Sequence, residues 1–143
     1  KHKWRKFLLC NQNRVQIFRY TVRRIFIEME LHRMSCDNPE ATSPPISADN
    51  AKDLLLFIPL WTRKSQEGKQ KLVREFRFES FNDAFEFTSK IARLADEEDH
   101  HPLIILEWGK VSISWWTHKI NALHLNDFIM AAKTDIIAEA SLK

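Results

Sequence analysis

The chain contains two glycines, and each lies between two stretches with the character of a β-strand. Gly68 separates a short stretch that begins near Trp61 from a longer one that ends near Phe78. Gly109 lies inside the run PLIILEWGKVSISWWTH. Strands that are joined by a short turn pair in the antiparallel direction. The two glycines therefore predict two β-hairpins.

Apolar and polar side chains alternate along the second strand of each predicted hairpin, which indicates one covered and one open face. In the first hairpin one face carries Leu72, Arg74, Phe76 and Phe78. The other face carries Val73, Glu75 and Arg77. In the second they carry Val111, Ile113 and Trp115, and Ser112, Ser114 and Trp116. Three large aromatic residues are expected in the core: Trp108, Trp115 and Trp116.

Helical patterns precede, separate and follow the hairpins. The run SADNAKDLLLFIPLW predicts a first helix, capped by Ser47 and ended by Pro59. The run SFNDAFEFTSKIARLADEED predicts a second, with Ser80 at its start and Pro102 preventing its extension. Its apolar stripe comprises Phe81, Ala84, Phe85, Thr88, Ile91, Ala92 and Ala95. The run LNDFIMAAKTDIIAEASLK predicts a third.

The predicted order is α-β-β-α-β-β-α. Two hairpins with helices before, between and after them favour an α+β fold, a four-stranded antiparallel sheet with helices packed on one face. A length of 143 residues suits one domain with a core of its own. No apolar run approaches the ~20 residues that a membrane span needs.

A proline-rich stretch, CDNPEATSPPIS, precedes the first helix. Such a composition favours extended or turn backbone, so we place the domain boundary here. Residues 1–45 are predicted to form a basic N-terminal extension with its linker, and residues 46–143 the folded domain. Residues 1–35 are expected to be dispensable for folding.

The charge is divided unevenly between these parts. The net charge of +3 combines +7 in residues 1–35 with −4 in residues 36–143. The pI near 9.0 therefore reflects the tail, and the folded part is predicted not to bind nucleic acid directly. A basic tail of this kind is typical of an organelle-targeting presequence or of a lineage-specific extension. The expected location is the cytoplasm, or a mitochondrion or plastid if the tail is a targeting sequence.

The two cysteines, Cys10 and Cys36, fit no zinc motif and no disulfide framework. They are expected to be free thiols in a reducing compartment.

Three histidines stand out in the run DEEDHHPLIILEWGKVSISWWTHKI, and three interpretations of them are open. A metal site is disfavoured because side chains of adjacent residues such as His100 and His101 diverge, on a helix or on a strand. An acid/base site is chemically reasonable, since imidazole exchanges protons near neutral pH. The third interpretation is that they are solvated histidines at the end of a helix.

The combination of HHP, then TH about fifteen residues later, then a helix that begins with LNDF resembles the pterin-4a-carbinolamine dehydratase family. The resemblance runs from about Ile46 to the C-terminus and includes REFRFESFNDAFEF, DEEDHHP, KVSISWWTH and ALHLNDFIMA. It implies the same fold and the dehydration of 4a-hydroxytetrahydrobiopterin to quinonoid dihydrobiopterin and water. That reaction recycles the pterin cofactor of aromatic amino acid hydroxylases, and it uses neither a metal nor another cofactor.

By this resemblance the catalytic residues fall on His100, His101 and His118, with Asp96, Thr117 and Asp127 supporting them or binding substrate. His100 and His118 are expected to transfer protons, and His101 to orient the pterin. The family also contains proteins that act without catalysis, so the alternative is a non-catalytic binding protein of the same fold, a transcriptional dimerization cofactor or an assembly factor. The expected partners are the pterin substrate and further copies of the chain, in a homodimer or homotetramer.

The chain departs from the family pattern after the TH pair. Where the family usually has Gly-Leu-Thr or Gly-Leu-Ser, this chain has Ala122, Leu123 and His124. Alanine resists the backbone angles that glycine permits, and histidine is a poor helix cap. The loop after His118 is therefore expected to differ from that of the family.

Overall fold

The computed structural model describes residues 31–141 of the chain. Its elements are a short 3-10 helix at Leu31–Arg33, α1 (Ala48–Leu55), β1 (Thr62–Gln66), β2 (Lys69–Arg77), α2 (Phe81–Glu97), β3 (Leu103–Glu107), β4 (Lys110–Trp115) and α3 (Leu125–Ser141). The predicted order from α1 to α3 is confirmed. Within the described residues no helix is both long and apolar enough to cross a membrane.

Both predicted hairpins are present, and they join into one antiparallel sheet of four strands in the order β1-β2-β4-β3. The turns require their glycines, because φ is +74° at Gly68 and +64° at Gly109. Gly109 also lies against backbone, since a Cβ atom there would stand 2.8 Å from the carbonyl oxygen of Phe78. The β3–β4 turn is thus fixed by close contact with the end of β2.

The helices cover one face of the sheet, as predicted for the α+β class. On that face Leu72 pairs with Trp115 and Phe76 with Val111. These side chains form a single core with the buried faces of α2 and α3. Packing of this apolar surface is what holds the two hairpins and the helices together.

The predicted stripe of α2 is partly wrong. Ala84, Ile91 and Ala95 are buried as expected, but Phe81 and Phe85 are about half exposed, and Phe87 takes the central core position. Three phenylalanines near the start of α2 leave the sequence with two competing apolar faces. The sheet selects the face with Phe87, whose ring lies against Phe76 at a centroid distance of 4.8 Å.

The prediction for the tryptophans is right for two of the three. Trp115 is fully buried and Trp116 nearly so, whereas the side chain of Trp108 is 76% exposed. Trp108 precedes Gly109 in the β3–β4 turn. Residues of turns lie at the surface, so the aromatic character of Trp108 does not by itself bury it.

The predicted caps of the first two helices are confirmed. The Ser47 hydroxyl accepts the N–H of Asn50 at 3.2 Å, and the Ser80 hydroxyl accepts the N–H of Asp83 at 3.0 Å.

Residues 31–46 run along the domain, which the sequence did not predict. Leu31 is buried against α3, and the Ile46 N–H donates to the Leu123 carbonyl at 2.8 Å. The proposed roles of Cys10 and of the basic segment up to residue 30 lie outside the described residues.

Candidate active site

A cavity of about 340 Å³ opens beside the C-terminal end of α2. Three segments form its walls: residues 36–39, residues 98–101 after α2, and residues 117–119 after β4. All three histidines predicted for the site line this cavity, and Thr117 lines it with them. Asp96 and Asp127 do not line it but hydrogen-bond to histidines that do.

The end of α2 places the two adjacent histidines. Asp99 takes a left-handed backbone conformation with φ of 48°, and the His100 N–H donates to the Ala95 carbonyl at 3.0 Å. This is a Schellman ending, which reverses the chain within one residue. Pro102 then favours the extended backbone that leads into β3. As a result the His100 side chain is buried, while that of His101 is exposed.

His100 is held by contacts on its edge and on its face. Its Nε2 lies 2.7 Å from Oδ1 of Asp127, and only 7% of the residue is exposed. Its ring stacks on Trp115 with 5.8 Å between centroids and 19° between planes. An imidazole fixed in this way can act from a defined position.

Asp127 is the fully buried centre of this arrangement. Besides the His100 ring, its carboxylate accepts the Thr117 hydroxyl at 3.0 Å and the His124 N–H at 2.8 Å, both on Oδ2. Its place in the first turn of α3 adds the positive end of the helix dipole. These contacts compensate for the burial of a carboxylate.

His101 and His118 form the more exposed part of the site. Nε2 of His101 lies 2.9 Å from Oδ1 of Asp96, and Nε2 of His118 lies 3.2 Å from the His101 carbonyl oxygen. The His118 ring stacks on Trp116 at 4.2 Å, and the ammonium group of Lys71 lies over the Trp116 ring at 4.1 Å. Trp116 therefore packs against one face of the His118 ring.

The partners of the three rings define which nitrogen carries a proton. A carbonyl oxygen can only accept, so Nε2 of His118 donates to His101. Carboxylate oxygens likewise accept from Nε2 of His100 and of His101. In each neutral ring Nδ1 is then the unprotonated nitrogen, which can take up and return a proton.

The loop after His118 accommodates Ala122 and His124 without a positive φ at either residue. Asn121, rather than Ala122, takes the positive φ of 49°, and the Ala122 carbonyl accepts the Thr117 N–H at 3.0 Å. His124 acts as a cap after all, since its Nδ1 accepts the Asn126 N–H at 3.3 Å. The ring nitrogen takes the place of the usual hydroxyl oxygen.

Sequence reasoning missed a group of residues beside the cavity. Glu98 accepts the Cys36 N–H at 2.8 Å and forms an ion pair with Lys133. Burial raises the pKa of Glu98, but the hydrogen bonds from Lys133 and from the Cys36 N–H outweigh it, so the pKa is lowered. Burial is the main cause that raises the pKa of the Cys36 thiol to about 12, and the negative charge of Glu98 is the second. The run DEED gave no signal that one of its acids is a partly buried anchor.

Among residues 31–141 no three His, Cys, Asp or Glu side chains converge into a group suited to a metal ion.

Residues 44–137 match the model of the family described as pterin 4 alpha carbinolamine dehydratase. The chain belongs to this family. Two bacterial relatives carry the name "Putative pterin-4-alpha-carbinolamine dehydratase". The dehydratase relative from Saccharophagus degradans is 48% identical over 77% of this chain and 97% of its own length. The one from Marinobacter nauticus is 49% identical over 73% of this chain and 95% of its own length.

A solved structure resembles the fold. It is the transcriptional coactivator/pterin dehydratase from Brucella melitensis, with a TM-score of 0.61 and 27% identity, over 66% of this chain and 99% of the other. The pterin dehydratase family and the α+β fold with a four-stranded antiparallel sheet, both inferred from the sequence, are thus confirmed.

Proposed function

We propose that this chain dehydrates 4a-hydroxytetrahydrobiopterin to quinonoid dihydrobiopterin, and so returns the pterin of aromatic amino acid hydroxylases to its cycle. The observation that carries the proposal is the cavity itself. Three imidazoles meet there, each with Nε2 bound to a protein acceptor, which leaves Nδ1 for exchange with a substrate.

The reaction needs two proton transfers and no change of oxidation state by an external reagent. The bond between C4a and its hydroxyl oxygen breaks, and a proton delivered to that oxygen makes the leaving group water. The proton on N5 is removed, and its electron pair forms the double bond between N5 and C4a. One acid and one base at fixed positions therefore suffice.

The geometry suggests how the histidines divide this work. We assign proton transfer to His100 and His118, because one ring is fixed by Asp127 and Trp115 and the other by Trp116. We assign His101 to orienting the pterin, since its ring is exposed and is paired with Asp96. Asp127 and Thr117 hold His100 in place, in the way a carboxylate orients a histidine in other acid/base sites.

No metal and no further cofactor enters this proposal, because positioned imidazoles can perform both proton transfers. A homodimer or homotetramer, and a location in the cytoplasm or in an organelle, are parts of the proposal that follow from the family resemblance and the basic tail.

The test is a dehydratase assay with freshly generated 4a-hydroxytetrahydrobiopterin, in which the absorbance of the quinonoid product is followed. The proposal predicts a rate well above that of the spontaneous dehydration, which is measured without protein. A rate equal to the spontaneous one, together with saturable pterin binding, would favour the alternative of a non-catalytic binding protein.

A further inference from the structure

One wall of the cavity comes from a segment outside the part of the chain that matches the family model. Residues 36–39 line the cavity, and the match begins only at residue 44. The composition of this segment indicates a linker. In the structure it lines the cavity together with the segments that carry the histidines, and it is fixed to both of them.

The buried side chain of Asn126 provides the first anchor. Its Oδ1 accepts the Asp37 N–H at 3.0 Å, and its Nδ2 donates to the Asp37 carbonyl at 2.8 Å. Asn126 is 1% exposed and directly precedes Asp127 in α3. The backbone of Asp37 is therefore anchored by the residue that directly precedes Asp127, whose carboxylate holds His100.

Two further contacts hold the residues on either side of Asp37. The Cys36 N–H donates to Glu98, which Lys133 also holds. The ammonium group of Lys119 donates to the side-chain oxygen of Asn38. A loop whose main chain is fixed at Cys36 and Asp37, and whose next side chain is held as well, presents the Asp37 carboxylate at a defined position.

We propose that the carboxylate of Asp37 binds the amino group and the neighbouring N3–H of the pterin pyrimidine ring. Those two donors lie side by side on one edge of the pterin, and a carboxylate can accept both at once. Asp37 lines the cavity, and within residues 31–141 its carboxylate has no hydrogen-bond donor of its own. Asn126 is the positioning residue for this contact. The inference rests on the proposed function, because it names the substrate edge that the same cavity recognises.

The experiment compares the affinities of two stable ligands, 7,8-dihydrobiopterin and its 2-deamino analogue, by isothermal titration calorimetry. The analogue removes the amino donors without adding bulk. Wild-type protein should bind the parent compound about tenfold or more tightly than the analogue, as expected for a hydrogen bond to a charged group. Asp37→Ala should bind the two compounds alike.

Three further variants test whether the effect belongs to Asp37. Glu40→Ala removes an exposed acid from the same segment outside the cavity and should keep the wild-type preference. Asp99→Asn removes another acidic charge of the cavity, keeps a residue type that tolerates the φ of 48° at this position, and should also keep the preference. Asn126→Ala should reduce the preference, because the Asp37 main chain loses both of its anchors.

A preference that survives Asp37→Ala, or that disappears in Asp99→Asn instead, overturns the inference. If the wild-type protein dehydrates its substrate but binds the two compounds equally, only this inference falls. If it binds neither compound and shows no dehydratase activity, the proposed function falls as well.

Discussion

Asp127 Oδ1 lies 2.7 Å from His100 Nε2, and both residues are buried. This contact joins the turn after α2 to the first turn of α3. The second oxygen of the same carboxylate accepts hydrogen bonds from the Thr117 hydroxyl and the His124 N–H. One side chain therefore contacts the turn after α2, the segment after β4 and the start of α3. Catalysis and local stability should therefore respond together when Asp127 is changed.

Asp127→Asn is expected to lower turnover by about 10² or more and to destabilise the domain by about 1–3 kcal/mol. An amide has one accepting oxygen, so either the His100 ring or the His124 N–H loses its acceptor. Thr117→Val is the matched control, because it removes one hydrogen bond to Asp127 and leaves the contact with His100. Assay and urea denaturation would check both; equal turnover of the two variants would contradict the role given to Asp127.

Gly109→Ala is expected to destabilise the domain by more than Gly68→Ala. Both changes put a side chain at positive φ, which costs about 1 kcal/mol. At Gly109 the new methyl group would also stand 2.8 Å from the Phe78 carbonyl oxygen, whereas at Gly68 nothing lies within 4 Å. Thermal unfolding of the two variants measures the difference. Equal losses of stability in the two variants would show that the β3–β4 turn accommodates the methyl group without strain.

Removal of residues 1–39 is expected to lower the thermal midpoint on the order of 5 °C or more relative to removal of residues 1–30. The longer deletion takes away the buried Leu31 and the hydrogen bonds of Cys36 and Asp37. It also removes a wall of the cavity, so pterin affinity should fall with it. Identical midpoints would support the original expectation that the whole of residues 1–35 is dispensable.

Cys36 is expected to resist alkylation in the native protein. Burial raises the pKa of its thiol from 9.0 to about 12, so little thiolate exists at pH 8. Because the folded pKa lies above the unfolded one, the protonated thiol contributes stability below pH 9 that is lost as pH rises toward 12. Iodoacetamide labelling at pH 8, read by mass spectrometry, should modify Cys36 much faster in urea. Equal rates of Cys36 alkylation in native buffer and in urea would contradict the conclusion that the fold buries this thiol and raises its pKa.

The order of elements was predictable because alternation of apolar and polar residues, although imperfect, and two glycine turns define the hairpins. The stripe of α2 was only partly predictable, since Phe81, Phe85 and Phe87 offer two apolar faces and only the sheet decides between them. Trp108 was misplaced because its aromatic character indicates burial, whereas its position in the turn beside Gly109 exposes it.

The histidines and Asp127 were found through their spacing in the family motif. The wall formed by residues 36–39 was not, because it is held by main-chain groups of Cys36 and Asp37. Hydrogen bonds of the main chain do not depend on residue type, so they produce no recognisable pattern of apolar residues in the sequence. In the sequence their partners, Glu98 and Asn126, look like ordinary surface residues, but the fold buries Asn126 and partly buries Glu98.

The central claim is that imidazoles at this cavity carry out the dehydration, and the histidine variants test it most directly. Turnover of 4a-hydroxytetrahydrobiopterin would be measured for wild-type protein and for His100→Ala, His101→Ala and His118→Ala, with circular dichroism to show that each is folded. We expect a loss of about 10² or more in turnover for His100→Ala and His118→Ala. For His101→Ala we expect the change mainly in KM. Wild-type turnover in all three variants would contradict the account and leave a binding protein as the better description.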